Sequence, residues 1–470
     1  MKTYLFYDIE TTGLNKAFDQ ILHFAAIRTD LNFNELNRYE LIVKLNPDVI
    51  PSPEAMIVHR MRLSDISNGI SEYEAIRKIH AWINEPGTIS LGYNTLGFDD
   101  EFLRFSFYRN LLSPYTHQYA NQCCRMDIYP IVVLYYLFKN STIAWPEING
   151  GVSLKLEDIN NANKFVTGRS HHAMVDVEST IALAKQLARE PEMWDYVCGN
   201  FDKKIEQLRL KKINTDSALM VLGRFGFKQS YQSQVLPLGE HVHYKNQILF
   251  LRLDDKDFTF ATKENILAST FVVRKKLGEA GFLFPLTERY AYHLDAERLA
   301  LANSNKQWLK DNEALLTFVS DYHRHYEYPV VPDIDVDASL YVNGFWTSEE
   351  AMFCREFQSA APDKKSKMIE TVQNPNLSAL AIRILGRHFP ECLNSGQAEY
   401  FTKYIAQINN NATAPIVDYK GNTRLTPKIA LQKIAEARND NQLDDEQRML
   451  LNDLEIILHV GIHYSLSRAQ

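Results

Sequence analysis

Residues 4–15 read YLFYDIETTGLN, an apolar β-type run that ends on two carboxylates, Asp8 and Glu10, ahead of a Thr-Thr-Gly turn. Side chains on a strand alternate between faces, so Tyr4, Phe6, Asp8 and Glu10 share one side. Two like charges at that spacing repel unless a cation lies between them. A hard divalent ion, magnesium or manganese, takes oxygen ligands and suits such a pair. A lone D-x-E is more often a solvated strand end than a metal site, so its meaning depends on partners elsewhere in the chain.

Around this run the first 190 residues alternate strand and helix patterns. ILHFAAIRTD (21–30) and YELIVKLN (39–46) continue a meander, and TISLGYN (88–94) reads as a short buried strand. EYEAIRKIHAWIN (72–84), FDDEFLRFSFYRNLL (98–112), MDIYPIVVLYYLF (126–138) and HAMVDVESTIALAKQLARE (172–190) have helical spacing. This order predicts an α/β domain. From about residue 195 the pattern changes. FDKKIEQLRLKKIN (201–214) is basic, and QSQVLPLG (232–239), NQILFLRLD (246–254) and FTFAT (258–262) predict short strands of a small barrel or sandwich. YPVVPDIDVDASL (328–340) reads as a linker, and the stretches from 348 onward predict an all-helical domain.

Bulk properties narrow the class. A chain of 470 residues exceeds one ordinary core and implies several domains. The net charge of −7 argues against a surface coated in nucleic-acid-binding charge but leaves room for a local basic groove. The cysteines, Cys123, Cys124, Cys198, Cys354 and Cys392, form no C-x-x-C pair and read as reduced thiols of a cytoplasmic protein. Asp8 and Glu10 interrupt any signal-peptide core, and no apolar run reaches the roughly 20 residues of a membrane span.

Two further acids stand in chemically telling places. Asp99 follows Phe98 at the start of a helix pattern, where the helix dipole favours a carboxylate for structural reasons alone. Asp176 follows His171 by five residues, about 140° around a helix, so the two converge only if His171 sits in the loop before it. Asp8, Glu10, Asp99 and Asp176, with His171, occur in the order and settings of the DEDDh group of 3′–5′ exonucleases, which this chain resembles. LRFSFYRN after FDDEF, SPY at 113–115, FAAIRTDLNFNE (24–35) and HAMVDVESTIALAK (172–185) are similar to the bacterial exodeoxyribonuclease I family, as is SLYVNGFWTSEE (339–350). Three departures stand out. Thr12 replaces a common aromatic, an N-K-C-P type segment is not recognisable in residues 272–293, and Lys155 occupies an arginine position, losing the bidentate fork.

The resemblance implies a fold, a chemistry and partners. The fold is an α/β nuclease domain with an RNase H-like mixed sheet (1–190), an SH3-like β-barrel (195–335) and an all-helical C-terminal domain (338–470). The chemistry is 3′–5′ hydrolysis of single-stranded DNA to 5′-mononucleotides in DNA repair and recombination. Two Mg2+ ions, with Mn2+ as the alternative, would be held by Asp8, Glu10, Asp176 and Asp99, with His171 as general base. Helical periodicity alone would choose His172, four residues before Asp176; the family spacing chooses His171. Substrate contacts carried over are Glu10, Arg104, Tyr115, Tyr119, Lys155, Lys203, Asn246 and Tyr341, with Leu14 as a wedge against the terminal base. A monomer is implied, engaging the C-terminal tail of single-stranded-DNA-binding protein. An RNA-trimming exonuclease of the same group, a polymerase-associated proofreader and a non-catalytic nucleic-acid-binding protein on a nuclease fold are the competing readings.

Overall fold

The structure is a computed structural model that describes residues 1–169, 172–213, 217–409 and 415–467, with side chains up to residue 459. β1 (Thr3–Thr11), β2 (Ile21–Thr29), β3 (Glu35–Ile42), β4 (Thr88–Leu91) and β5 (Cys124–Arg125) form a mixed sheet in the order β3-β2-β1-β4-β5. β1 is central, antiparallel to β2 with Asp8 opposite Ala25 and Glu10 opposite His23, and parallel to β4. Its alternation sorts the two faces. Tyr4 and Phe6 pack with the helices Ile128–Phe138 and Ala173–Leu187, whereas Leu5, Tyr7 and Ile9 pack with Glu72–Ile83 and Asp99–Arg109. The D-x-E pair therefore leaves the sheet on the face covered by the helix that carries Asp176. Every residue of β2 is buried, which is why ILHFAAIRT is nearly continuous in apolar character. Burial of each large aliphatic or aromatic side chain there contributes about 1.5–3 kcal/mol.

A short ladder, β6 (Glu147–Ile148) with β7 (Gly151–Val152), leads into the helix Leu156–Asn163. The second sheet comprises β8 (Ala218–Val221), β9 (Gln232–Glu240), β10 (Gln247–Arg252), β11 (Val272–Lys276) and β12 (Phe282–Pro285), antiparallel in the order β11-β10-β9-β8-β12. Two of the three predicted strands, β9 and β10, are present. FTFAT is not a strand: Phe258 is buried with its N–H on Asn305 Oδ1, while Phe260 is exposed, so the apolar run is a loop anchored at one residue. The sheet's other strands lie in segments too short or too basic to announce themselves. Phe282, Phe284, Leu219 and Val221 join the same apolar cluster as Tyr135 and Leu187, so the half-barrel and the nuclease sheet share a core.

The C-terminal region is helical, as expected, from Ser348–Ser359 to Asp445–Ser467. The stretch read as a linker is partly structural. Val336–Tyr341 forms a 3-10 turn in which Val336, Ala338 and Leu340 are buried, and Asp335 and Asp337 are paired with Arg383 and Arg387. That helical region clasps the nuclease sheet at two places. Ala17, Phe18 and Tyr73 are buried among residues 336–416, and Leu22, Met56, Leu63 and Ile66 among Ala430, Ile434, Leu451 and Leu454.

Candidate active site

The end of β1 is held in place by its own loop. The Thr12 hydroxyl donates to Asp19 Oδ1 (2.9 Å) and accepts the Gln20 N–H (2.9 Å), and the Asn15 N–H donates to Asp19 Oδ2 (2.7 Å). A side chain at position 13 would begin 2.5 Å from Asp19 Oδ2, so the approach of this carboxylate requires glycine. Thr12, the departure from the resembled family, is thus a loop anchor. Leu14 is left 79% exposed at the lip of the pocket.

That pocket has a volume of about 830 Å³ and is lined by Asp8, Glu10, Asp99 and Asp176 together with Thr423, Arg424, Leu425 and Lys433 from the C-terminal region. One ligand oxygen each from Asp8, Glu10 and Asp176 lie within 4.8 Å of one another, a spacing that suits a hard cation. Asp99, the first residue of its helix, lines the same pocket outside that triad. Burial, then the charges of Asp99, Glu10 and Asp176, push the Asp8 carboxyl well above its ordinary value. Burial, then Asp176 and Asp99, push Glu10 up to about 9. Asp99 is likewise raised by burial, against backbone N–H groups of its own residue and Ile9 that favour its charge. Burial and mutual repulsion act together on Asp8 and Glu10, and a divalent ion is the chemical complement of the set.

Asp99 depends on residues that motif reading missed. Asp127 caps the helix Ile128–Phe138 and accepts the N–H groups of Asn94 (2.8 Å) and Leu96 (3.1 Å), fixing the turn that delivers Asp99. Burial pushes the Asp127 carboxyl up to about 7 against those bonds. Asp100, the second acid of FDDE, turns the other way onto Arg125 (2.5 Å), Arg104 (2.8 Å) and His117 (2.9 Å). Burial opposes its charge, but the two guanidiniums outweigh burial and hold it well below the carboxylate range. Neither Asp127 nor Asp100 belongs to a local sequence pattern that marks its role.

The other sequence candidates scatter. His171 lies outside the described residues. His172 directly precedes the helix Ala173–Leu187 without capping it and sets its ring edge-on to His23 at 5.2 Å, on the β2 side. Lys155 lines a second cleft that shares Tyr93, Asn94 and Asp176 with the first, its ammonium mostly solvated, 3.8 Å from Glu157. Arg104 is buried in its pairs with Asp100 and Glu101 and lies over the Tyr115 ring. Tyr115 meets Phe345 edge-on, and Tyr119 is 67% exposed. The Tyr341 hydroxyl donates to Glu101, linking the 3-10 turn to the same helix. Lys203 lies along Gly278, and Asn246 is an exposed turn residue with φ 65° between β9 and β10.

The chain matches the family described as Exonuclease over residues 5–184 and the Exonuclease I C-terminal domain over residues 334–457. Exodeoxyribonuclease I of Buchnera aphidicola subsp. Acyrthosiphon pisum is 31% identical over 285 residues, 59% of this chain and 68% of that protein. The chain belongs to the exodeoxyribonuclease I family. Exodeoxyribonuclease I of Escherichia coli is 28% identical over 427 residues, 86% of this chain and 90% of that protein. The structure of E. coli exonuclease I with a 5cy-dT13 oligonucleotide has the same fold, with a TM-score of 0.86 at 23% identity, covering 98% of this chain and 100% of that one. As a member of the exodeoxyribonuclease I family the chain is a nuclease with a site for divalent metal. Removing the Asp127 carboxylate by Asp127→Ala should cost about 1–2 kcal/mol as a lost helix cap. Because the turn carrying Asp99 shifts with it, turnover should fall about 100-fold, measured as kcat beside a melting curve.

Proposed function

We propose that this protein degrades single-stranded DNA from its 3′ end, releasing 5′-mononucleotides, with two Mg2+ ions held by Asp8, Glu10, Asp176 and Asp99. The observation that carries this reading is the convergence of the Asp8, Glu10 and Asp176 oxygens within 4.8 Å at the floor of a pocket that Asp99 also lines. The oligonucleotide in the E. coli relative supports DNA as the strand. Bound there, divalent ions supply Lewis acidity at the scissile phosphate and raise the acidity of water. The protein's own residues do the rest. Asp8 and Glu10 are fixed by β1 and Asp176 by its helix, so the ligand oxygens need little rearrangement before attack. His171 takes the proton from the attacking water, an assignment supported by His172 being turned onto His23. Leu14, exposed at the lip, wedges beside the terminal base.

Along the strand, Glu10 contacts the terminal nucleotide, and Lys155 receives a phosphate in the cleft beside Asp176. Tyr115, Tyr119 and Tyr341 present aromatic faces to bases, Lys203 and Asn246 meet the strand on the barrel side, and Arg104 acts through Tyr115 and Glu101. The division at 1–190, 195–335 and 338–470, a monomeric cytoplasmic enzyme of repair and recombination, and contact with the tail of single-stranded-DNA-binding protein belong to the same reading. No helix among the described residues is long and apolar enough to cross a membrane.

The test uses 5′-labelled single-stranded DNA and RNA of matched sequence. Shortening of the DNA from its 3′ end in magnesium, arrest by EDTA and nearly intact RNA are expected. Preferential shortening of RNA would transfer the assignment to the RNA-trimming branch, and no shortening of either strand in any divalent metal would end the catalytic reading.

A further inference from the structure

The C-terminal region reaches the acidic pocket through a small hairpin in which Val417 pairs with Thr423 and Gly421 turns the chain at φ 82°. One carboxylate organises it. Asp418 Oδ1 accepts the N–H groups of Lys420 (2.8 Å) and Asn422 (2.9 Å), and Oδ2 accepts the side-chain amides of Asn422 (3.0 Å) and of Asn15 (3.0 Å). The hairpin tip and the loop that follows Asp8 and Glu10 are therefore tied at a single point. Tyr419 stacks on Phe105 with ring centroids 5.4 Å apart, seating the hairpin on the helix that begins at Asp99.

Two ammonium groups flank this tie. Lys16 Nζ lies 5.0 Å from the ring centroid of Phe98, a pocket-lining residue, and Lys420 Nζ lies 5.3 Å from that of Tyr419. Among the described residues neither has a carboxylate within 4 Å; their near partners are aromatic faces. Asp418, the acid of the tie, already holds four hydrogen bonds. Burial, then the charge of Lys420, pulls the half-buried Lys16 ammonium below its ordinary value, while the charges of Glu101 and Asp99 act the other way.

We propose that Lys16 and Lys420 form a clamp, built from both ends of the chain, that holds a backbone phosphate of the strand just outside the acidic pocket. This rests on the single-stranded-DNA reading above. Within the pocket the carboxylates would hold the metal that serves the scissile phosphate. A neighbouring phosphate would draw on positive charge from the protein itself. Lysine suits a strand that must advance after each cleavage: a compact point charge follows a moving oxygen, where a bidentate guanidinium would fix one geometry.

The test is binding of a fluorescein-labelled oligothymidylate in EDTA, followed by anisotropy across a potassium chloride series. Each lost single-strand phosphate contact flattens the slope of log K against log salt by about 0.7, equivalent to about fivefold in affinity at 0.1 M salt. Lys420→Ala and Lys16→Ala should each show that change and the double variant about 25-fold. Lys420→Arg should retain the wild-type slope. Lys420 is exposed, so its variant keeps the test usable should Lys16→Ala fail to fold, and thermal melts check both. A folded Lys420→Ala with wild-type affinity and slope overturns the clamp. Parallel shortening of the DNA by wild-type protein in magnesium separates the failures. If wild type cuts the strand while the variants bind like it, the clamp alone is wrong. If wild type neither binds nor cuts, the clamp falls with the single-stranded-DNA reading.

Discussion

Asp8→Asn is expected to lower magnesium-dependent turnover about 1000-fold or more while raising the melting temperature of the metal-free protein. Both effects have one origin. Asp8 is partly buried beside Asp99, Glu10 and Asp176, and burial, then those charges, raise its carboxyl, so a negative charge at this position opposes the metal-free fold. Asparagine keeps the shape and removes one charge, so the apo protein gains stability. It also removes an oxygen ligand of the triad, so the magnesium-induced rise in melting temperature shrinks. The measurement is a pair of melting curves, in EDTA and in magnesium, alongside kcat. A variant whose EDTA melting point dropped would show that Asp8 is under no electrostatic strain, and the charge argument for the site would fail.

Asp48→Ala is expected to cost about 3–5 kcal/mol, because it strands two buried guanidiniums. Asp48 belongs to the nuclease part and is almost fully buried. Arg387 grips its carboxylate at 2.6 Å and Arg424 at 3.2 Å, Tyr404 donates to it at 3.0 Å, and Arg387 is shared with Asp337 at 2.5 Å. The loss should appear as a lower melting temperature and as a helical region released to protease before the nuclease sheet. The network also sets an acid limit. Burial opposes the Asp48 charge, but Arg387 and Arg424 outweigh it and hold the carboxyl well below its ordinary value of 3.8. The unfolded chain then takes up the proton first, so the stabilisation is complete above about pH 4 and declines as pH falls toward the depressed native value. The variant lacks that proton uptake, and its stability should fall less steeply in acid. Equal acid slopes in the two proteins would remove Asp48 from this role.

The nuclease sheet was legible in the sequence because local pattern and long-range packing agree there. Alternation in YLFYDIE sets two faces, the continuous run in ILHFAAIRT marks a central strand, and each acid sits at an element's end where it can turn into a shared pocket. The half-barrel was less legible. FTFAT has strand composition but serves as a loop pinned through Phe258 to Asn305, while Val272–Lys276 is a strand despite its basic end. There, cross-strand packing overrides propensity. Of the site, the acids carry a pattern because metal chemistry constrains their spacing. Asp127 and Asp100 carry none, since a carboxylate that holds backbone N–H groups or arginines is defined only by what lies across the fold. The hairpin at 417–423 is invisible for the same reason: its tie is Asp418 to Asn15, residues separated by nearly the whole chain.

The clasp between the chain's two ends has a consequence for synthesis. Ala17 and Phe18, directly after the acidic strand, find their apolar partners among residues 336–416, and Arg424 lies over the Phe18 ring. A ribosome delivers the loop at 11–20 long before those partners. N-terminal parts generally fold as they emerge, so the acids are assembled on the nascent chain while this loop still lacks its seat. Only once the helical region has been made does the site acquire its wall, and a message cut short after the nuclease part would yield the acids without Thr423, Arg424, Leu425 and Lys433 beside them.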